Sequence, residues 1–259
     1  MPVHALTEEK DAFRGSDAVR QARVDLAAAL RLAVLHGLDE GIDNHFTVTV
    51  PGETDKFLIL PFGLHWSEAR ASDMIVFDEA GDTLGGEGAV ELSAQCIHAP
   101  VHRITGARVV LHTHQTWALA LNMLANNRLI TASQTSIFFH GSVAYDDDYQ
   151  GLAHSVREGE RLATLMGDKS TMFMKNHGVL VVADTVARAY HQLYMLERVC
   201  RAQVLAMSTG EVLQPIGEKI IAEVQTPSDH DRHDGTERDR LFVEAMKRVL
   251  DRENPGYAE

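Results

Sequence analysis

Cysteine is almost missing from this chain: there are two in 259 residues, Cys96 and Cys200. Both sit in apolar helical patterns, so they read as buried thiols and exclude a disulfide framework. Long hydrophobic runs are missing too. No stretch approaches the roughly 20 consecutive apolar residues that span a bilayer. Basic residues are in deficit, 24 Lys and Arg against 37 Asp and Glu, for a formal net charge of −13. Nucleic acid and anionic membrane surfaces attract basic patches, so neither is expected as a partner. The start mixes charges of both signs and lacks the apolar stretch of a secretory signal. No internal repeat is visible. A soluble, cytoplasmic protein is expected.

What is present is 45% hydrophobic residues, ample for a core in one large domain or two small ones. Residues 1–16 read as an N-terminal arm and 17–223 as the main domain. Residues 224–259 read as a polar loop containing Ser228–Gly235, a closing helix near 237–251 and a frayed tail. Ser16 caps a helix that passes Val19, Leu26 and Leu30 and stops at Gly37. Phe46–Val50, Phe57–Leu60 and Met74–Phe77 read as strands, with one helical turn at Ser67–Ala71 and a hairpin turn at Glu79–Asp82. Glu91–Ile104 reads as a helix that Pro100 should kink or shorten. Leu129–Phe139 reads as extended, Gly141–Tyr149 as a polar loop and Gly151–Met166 as a helix. Thr171–Lys175 and Val179–Val182 form strands with His177 at the tip between them. Asp184 or Thr185 caps a long helix whose apolar stripe includes Ala189, Leu193, Leu196 and Cys200. The sum is an α/β domain of short antiparallel hairpins flanked by helices.

The chemistry gathers in Arg108-Val109-Val110-Leu111-His112-Thr113-His114-Gln115. Alternate side chains of a strand share a face, so His112 and His114 stand side by side at its end. Two imidazoles so placed can grip a metal; a pair of surface histidines is the bland alternative. His177, in Asn176-His177-Gly178, supplies a third imidazole in a second distinctive setting.

Four stretches, with their order along the chain, resemble the class II aldolase/adducin family. They are Pro61-Phe62-Gly63-Leu64-His65, Ile97-His98-Ala99 with Val101-His102, Val110-Leu111-His112-Thr113-His114, and Lys175-Asn176-His177-Gly178-Val179-Leu180. The resemblance covers about Asp17 to Gly210. It implies a three-layer α/β/α fold around a largely antiparallel sheet. It also implies a cyclic homotetramer with sites between subunits, and one divalent metal ion per subunit on His112, His114 and His177. Zinc is the ion expected first, with manganese, iron or cobalt as alternatives. Three neutral imidazoles leave open positions, the arrangement of a catalytic site. Such an ion acts as a Lewis acid when a C–C or C–H bond breaks.

The chain departs from the family's sugar-phosphate aldolases where their acid/base glutamate falls, four residues before the match to His98. Here that position is Ala94, and Glu91 is the nearby substitute candidate; a residue favoured at a helix start is the plainer account of it. The family's Gly-Asn-x-Ser phosphate loop becomes Asn44-His45-Phe46-Thr47, and its Ser-Ser pair becomes Leu92-Ser93. A dianionic phosphate needs several convergent donors, so a sugar phosphate is not the expected substrate. His45, Gly63 and Ser93 are substrate-binding candidates, with His45 a donor to a carboxylate or, equally, a structural histidine satisfied by its neighbours. Tyr145 is a catalytic candidate, against an ordinary packing role. His65 and Trp66 could line a pocket. His98 and His102 share a helix face and read as core residues or as support for the ligands. Lys175 is set aside as a Schiff-base candidate, and Asp146–Asp148 reads as a solvated loop.

These readings converge on a metal-dependent lyase that cleaves a C–C bond, by aldol cleavage or decarboxylation. Its substrate would be a small, non-phosphorylated hydroxy or keto acid or an aromatic carboxylic acid. A non-catalytic adducin-like binding module and a mononuclear iron oxygenase are the alternatives.

Overall fold

The computed structural model describes residues 16–226 and 235–259. The expectations for the arm over 1–15 and for the loop at 227–234 lie outside the described residues. Helix α1, Asp17–Leu35, starts where the Ser16 hydroxyl accepts the Val19 N–H. Strands β1 (His45–Thr49), β2 (Lys56–Ile59), β3 (Ile75–Asp78) and β4 (Thr83–Gly85) form an antiparallel meander. Short 3₁₀ turns at Trp66–Glu68 and Ala71–Asp73 bridge β2 and β3. Helix α2 (Leu92–Thr105), strand β5 (Val109–Thr113) and helix α3 (Thr116–Asn122) follow. Next come β6 (Val143–Asp146), α4 (Val156–Met166), β7 (Thr171–Met174), β8 (Gly178–Ala183) and the long α5 (Val186–Met207). Helices α6 (Glu218–Gln225) and α7 (Gly235–Glu253) end the order.

All eight strands join one sheet in the order β4-β3-β2-β1-β5-β8-β7-β6, antiparallel except for β6 against β7 at one edge. Strand alternation sorts the side chains to two faces. Phe46, Val48, Val109, Leu111, Val179 and Val181 meet α1 and α5 residues such as Leu26, Leu30, Leu193 and Leu196. Val110, Leu180 and Val182 point the other way, to Ile97 and Val101 of α2 and Leu162 and Met166 of α4. The result is the expected α/β/α sandwich around a largely antiparallel sheet. Among the described residues no helix is long and apolar enough to cross a membrane.

Several local expectations need correction. Leu129–Phe139 holds no strand; it is irregular and then a 3₁₀ turn at Thr135–Phe139. Its backbone is satisfied by side chains: Leu129 N–H donates to the Tyr145 hydroxyl (3.0 Å) and Ile130 N–H to Gln203 Oε1 (2.8 Å). Gly141–Tyr149 contains β6, and Asp146 is buried, not solvated. Arg161 neutralises it with two hydrogen bonds of 2.8 and 2.6 Å. Asp147 of the same run pairs with Arg128. Helix α4 begins at Val156, later than Gly151. Helix α6 had no expected counterpart.

Pro100 neither ends nor shortens α2. It withholds an N–H from the Cys96 carbonyl, and α4 lays Gly159 against that oxygen so closely that a Cβ there would overlap it. The C-terminal tail is not frayed either. Ala71 N–H donates to Tyr257 O (2.9 Å) and Ser72 N–H to Glu259 O (2.8 Å), while Arg31 donates to Pro255 O (2.7 Å).

Candidate metal centre

Strands β1, β5 and β8 lie side by side at the middle of the sheet, and their ends build the site. Register sets His45 directly opposite His112, on the face that α2 covers. Two residues on, His114 leaves the strand on the same side. His177 comes from the β7–β8 hairpin, where Asn176 adopts a left-handed conformation (φ 58°), a cost that Asn bears better than most residues. Ring centroids of His112 and His114 are 4.9 Å apart, of His112 and His177 4.8 Å, and of His114 and His177 5.0 Å. One ring nitrogen from each lies within 4.8 Å of the other two.

The glycine after His177 is required by this geometry. A Cβ on Gly178 would overlap the Thr113 carbonyl oxygen and crowd the His114 and His112 rings. Asn122 pins the hairpin from behind, donating to the Gly178 carbonyl (3.1 Å) and to that of Met174.

Each of the first two imidazoles is oriented by a partner behind it. His112 Nδ1 donates to Val179 O at 3.0 Å, which leaves Nε2 with its lone pair toward the cluster. His114 Nδ1 meets the Glu40 carboxylate, and its backbone N–H donates to Asn44 Oδ1 at 2.9 Å. A carboxylate behind a ligating histidine is a recurrent support of metal sites. Burial pushes the His112 imidazole far below its ordinary pKa, with the neighbouring histidines adding to the effect. Burial likewise brings His177 down to about 4. Burial thus holds the His112 and His177 rings neutral at pH 7, the protonation state that metal ligation needs. Donor set, tautomers and spacing all suit one divalent ion.

Beside the trio lies a small pocket lined by Asn44, His45, Glu91, Ile42, Phe62 and Leu64. The His45 ring stacks on His112 (centroids 5.2 Å) and its Nε2 contacts Ser93 Oγ at 2.9 Å. Ser93 Oγ donates to Glu91, which also caps α2 by accepting the Ala94 N–H at 3.0 Å. Burial pushes the Glu91 carboxyl up, but its contacts with His45, Ser93 and the Ala94 N–H outweigh this and hold it at about 2. Asn44, itself left-handed (φ 74°), spends Oδ1 on His114; its buried Nδ2 has no hydrogen-bond partner among the described residues.

His45, Ser93 and Glu91 are therefore brought together next to the trio. Ala94, where the family glutamate would fall, is fully buried in an apolar cluster with Phe57, Ile75 and Phe77. Gly63 turns the chain between Phe62 and Leu64 with φ of 98°; its neighbours line the pocket. Tyr145 packs on Phe173 (5.6 Å) under the Arg128 guanidinium (4.2 Å), its hydroxyl accepting Leu129 N–H. Among the described residues, no contact of Tyr145 reaches His112, His114 or His177. The tyrosine near them is Tyr149, 6.4 Å from His177 between ring centroids. Trp66, buried against Phe46, lines the small pocket as expected, while His65 does not and instead caps the 3₁₀ turn. Glu40, Asn44 and Asn122 were not anticipated. Glu40 and Asn44 come from the turn before β1, far from β5 in sequence, and only the left-handed need at the family's glycine position hinted at Asn44.

An α/β/α sandwich that brings three imidazoles together at its central strand ends is a scaffold fit to hold a divalent ion. Residues 24–204 match the model of the class II aldolase and adducin N-terminal domain, and the chain belongs to that family. A Pseudomonas aeruginosa relative named for the class 2 aldolases is 34% identical over 99% of both chains. Mouse alpha-adducin is 31% identical over 76% of this chain, but only 28% of its own length. A Streptomyces niveus protein named as a decarboxylase is 28% identical over 76% of this chain and 72% of its own. Among solved structures, an aldolase II superfamily protein from Pseudomonas syringae superposes with a TM-score of 0.86 at 33% identity, covering 96% of this chain and 99% of that one. An L-fuculose 1-phosphate aldolase from Glaciozyma antarctica PI12 gives 0.78 at 26% identity, covering 91% and 92%.

Proposed function

We propose that this protein is a metal-dependent lyase that cleaves a C–C bond of a small, non-phosphorylated hydroxy or keto acid or aromatic carboxylic acid. Aldol cleavage and decarboxylation are the two forms, and both aldolase- and decarboxylase-named proteins occur among its relatives. The observation that carries the reading is the convergence of His112, His114 and His177, two of them oriented from behind. A scaffold without chemistry has no use for that arrangement. A divalent ion held there, zinc before manganese, iron or cobalt, supplies Lewis acidity.

The chain's own groups do the rest. Asn44 Nδ2 is one donor without a partner, suited to one carboxylate oxygen and inadequate for a phosphate dianion. His45 Nε2, Ser93 Oγ and Glu91 make two short contacts but share only the serine proton between them. A second proton, taken from a substrate hydroxyl, is held at His45 Nε2 and returned to the departing carbon. This replaces the carboxylate missing at Ala94. Decarboxylation takes no proton from a hydroxyl: CO2 leaves, and the carbon receives one proton that His45 Nε2 draws from water, so this reaction tolerates the loss better. Phe62 and Leu64 offer the apolar wall for the rest of the substrate. The working form would be a cytoplasmic homotetramer with sites between subunits.

Metal content per chain, on protein purified without chelator or affinity tag, tests the reading beside His114→Ala. About one ion in the parent and none in the variant is expected, with C–C cleavage lost in the variant. A parent protein that carries no ion and takes up none when offered zinc, manganese, iron or cobalt would end the lyase reading.

A further inference from the structure

Beneath α2 runs a line of polar side chains that the metal does not touch. From His45 it passes to His98, Thr47 and His102 and ends on the backbone. His45 Nδ1 lies 2.8 Å from His98 Nε2. His98 Nδ1 lies 2.7 Å from Thr47 Oγ1, and Thr47 Oγ1 lies 2.8 Å from His102 Nε2. His102 Nδ1 lies 2.7 Å from the Ala107 carbonyl oxygen. Thr47 and His98 are fully buried and His102 nearly so, and the His102 ring stacks on Phe57 at 4.6 Å.

Both ends of the run can only accept: the Ala107 carbonyl at one, and at the other the ionised Glu91 carboxylate, reached through Ser93. One contact must therefore go without a proton. The Ala107 end sets the direction of the buried inner links, and the contact left short falls at the pocket, where a substrate can supply the missing proton. His102 must carry its proton on Nδ1. Burial holds His102 and His98 neutral, so His102 Nε2 is an acceptor and Thr47 gives it the hydroxyl proton. That hydroxyl has one proton; the Val110 carbonyl, at 3.4 Å, is a more distant claimant. Thr47 Oγ1 then accepts from His98 Nδ1–H. His98 Nε2 is left as an acceptor and takes the proton of His45 Nδ1.

We infer that Thr47, His98 and His102 are positioning residues: a one-way hydrogen-bond chain, anchored on the Ala107 carbonyl, fixes His45 with Nδ1 as donor and presents Nε2 to Ser93, Glu91 and the substrate pocket. Without the chain, Ser93 and Glu91, which have only the serine proton between them, would draw the His45 proton to Nε2, the opposite tautomer. The inference rests on the lyase reading for its purpose, while the direction of the chain is a property of the folded protein that holds whether or not turnover is found.

The test is solid-state ¹⁵N spectroscopy of full-length protein labelled at the histidine rings and loaded with zinc. Lines are assigned by their disappearance in His45→Gln and His98→Gln. In the parent and in Thr47→Ser, both His45 and His98 should be protonated on Nδ1. In Thr47→Val, which keeps the side-chain shape and loses the hydroxyl, His98 should give up its Nδ1 proton, and His45, two links away, should lose its preference. Restoration by serine separates a hydrogen-bond effect from a packing effect. A parent spectrum with His98 protonated on Nε2 overturns the inference without any variant. So does an unchanged His45 tautomer in a folded, zinc-retaining Thr47→Val protein. Metal content and turnover, read on the same samples, report on the lyase proposal separately.

Discussion

At the scale of single residues, Glu40 carries the clearest consequence. It is half-exposed and belongs to a turn, yet it holds His114 from behind. Outer partners of this kind typically contribute 10–100-fold to metal affinity. Glu40→Gln should therefore raise the dissociation constant by about that factor, read by competition with a chelator, and leave the melting temperature of the metal-free protein nearly unchanged. The buried histidines also set an acid limit. His102 titrates at about 4 when folded, driven down by burial and partly restored by its bond to Ala107, against an ordinary 6.5 when unfolded. The folded state therefore binds fewer protons, and the stability linked to this group is fully present above pH 6.5. It is lost as the pH falls from 6.5 through 4, by about 3 kcal/mol in all. Urea midpoints across that range should fall steeply, and more gently in His102→Gln. A flat profile in the parent would contradict a neutral, buried His102. His112 and His114 were legible together because alternation on a strand is a local fact; His177 could be read as a hairpin tip, but only the family resemblance joined it to them. Glu40 was not, since nothing in Asp39-Glu40-Gly41 announces a neighbour more than seventy residues away.

At the scale of elements, the contact between α2 and α4 decides how rigid the roof of the site is. Proline and glycine, one on each helix, cooperate there: Pro100 frees a carbonyl and Gly159 lets the other helix approach it. Gly159→Ala should improve intrinsic helix propensity and still destabilise the protein, by roughly 1–3 kcal/mol from overpacking against backbone. A lowered urea midpoint with unchanged slope is the expected signature, and a raised midpoint would deny the close approach. The same pair explains a misreading. From sequence Pro100 looks like a break, because the compensation lies on a helix whose partner cannot be read from α2 alone. Strand β6 was hidden for a related reason. Its acidic end, Asp146-Asp147-Asp148, looks like solvated loop until Arg161 is placed beside Asp146. Elements with their own periodicity, such as α1, α5 and β5, were legible within a few residues at each end.

At the scale of the whole molecule, the proposed homotetramer makes a direct prediction. Light scattering on the purified protein should give four times the chain mass of 28.6 kDa, and the monomer mass at working concentration would remove the shared-site proposal. Exposed apolar residues at Met123, Leu124, Leu152 and Val156, in segments flanking α3 and opening α4, are the surface such an assembly would cover.

The pairing of the central strands has a bearing on how the proposed ion would be chosen. His45 meets His112 across β1 and β5, and β5 meets β8 across a still later part of the chain. Such distant pairings pay their loop-closure entropy before any contact rewards it, so they form late. During synthesis the ribosome exposes His112 and His114 well before His177 exists. A nascent or partly folded chain therefore offers a two-imidazole grip, weak and undiscriminating. The full set of three imidazoles, with the Glu40 carboxylate behind His114, comes together only when both halves of the sheet have docked. On the proposed metal-dependent reading, selection of the ion would fall at the end of folding, when geometry and not mere abundance can choose.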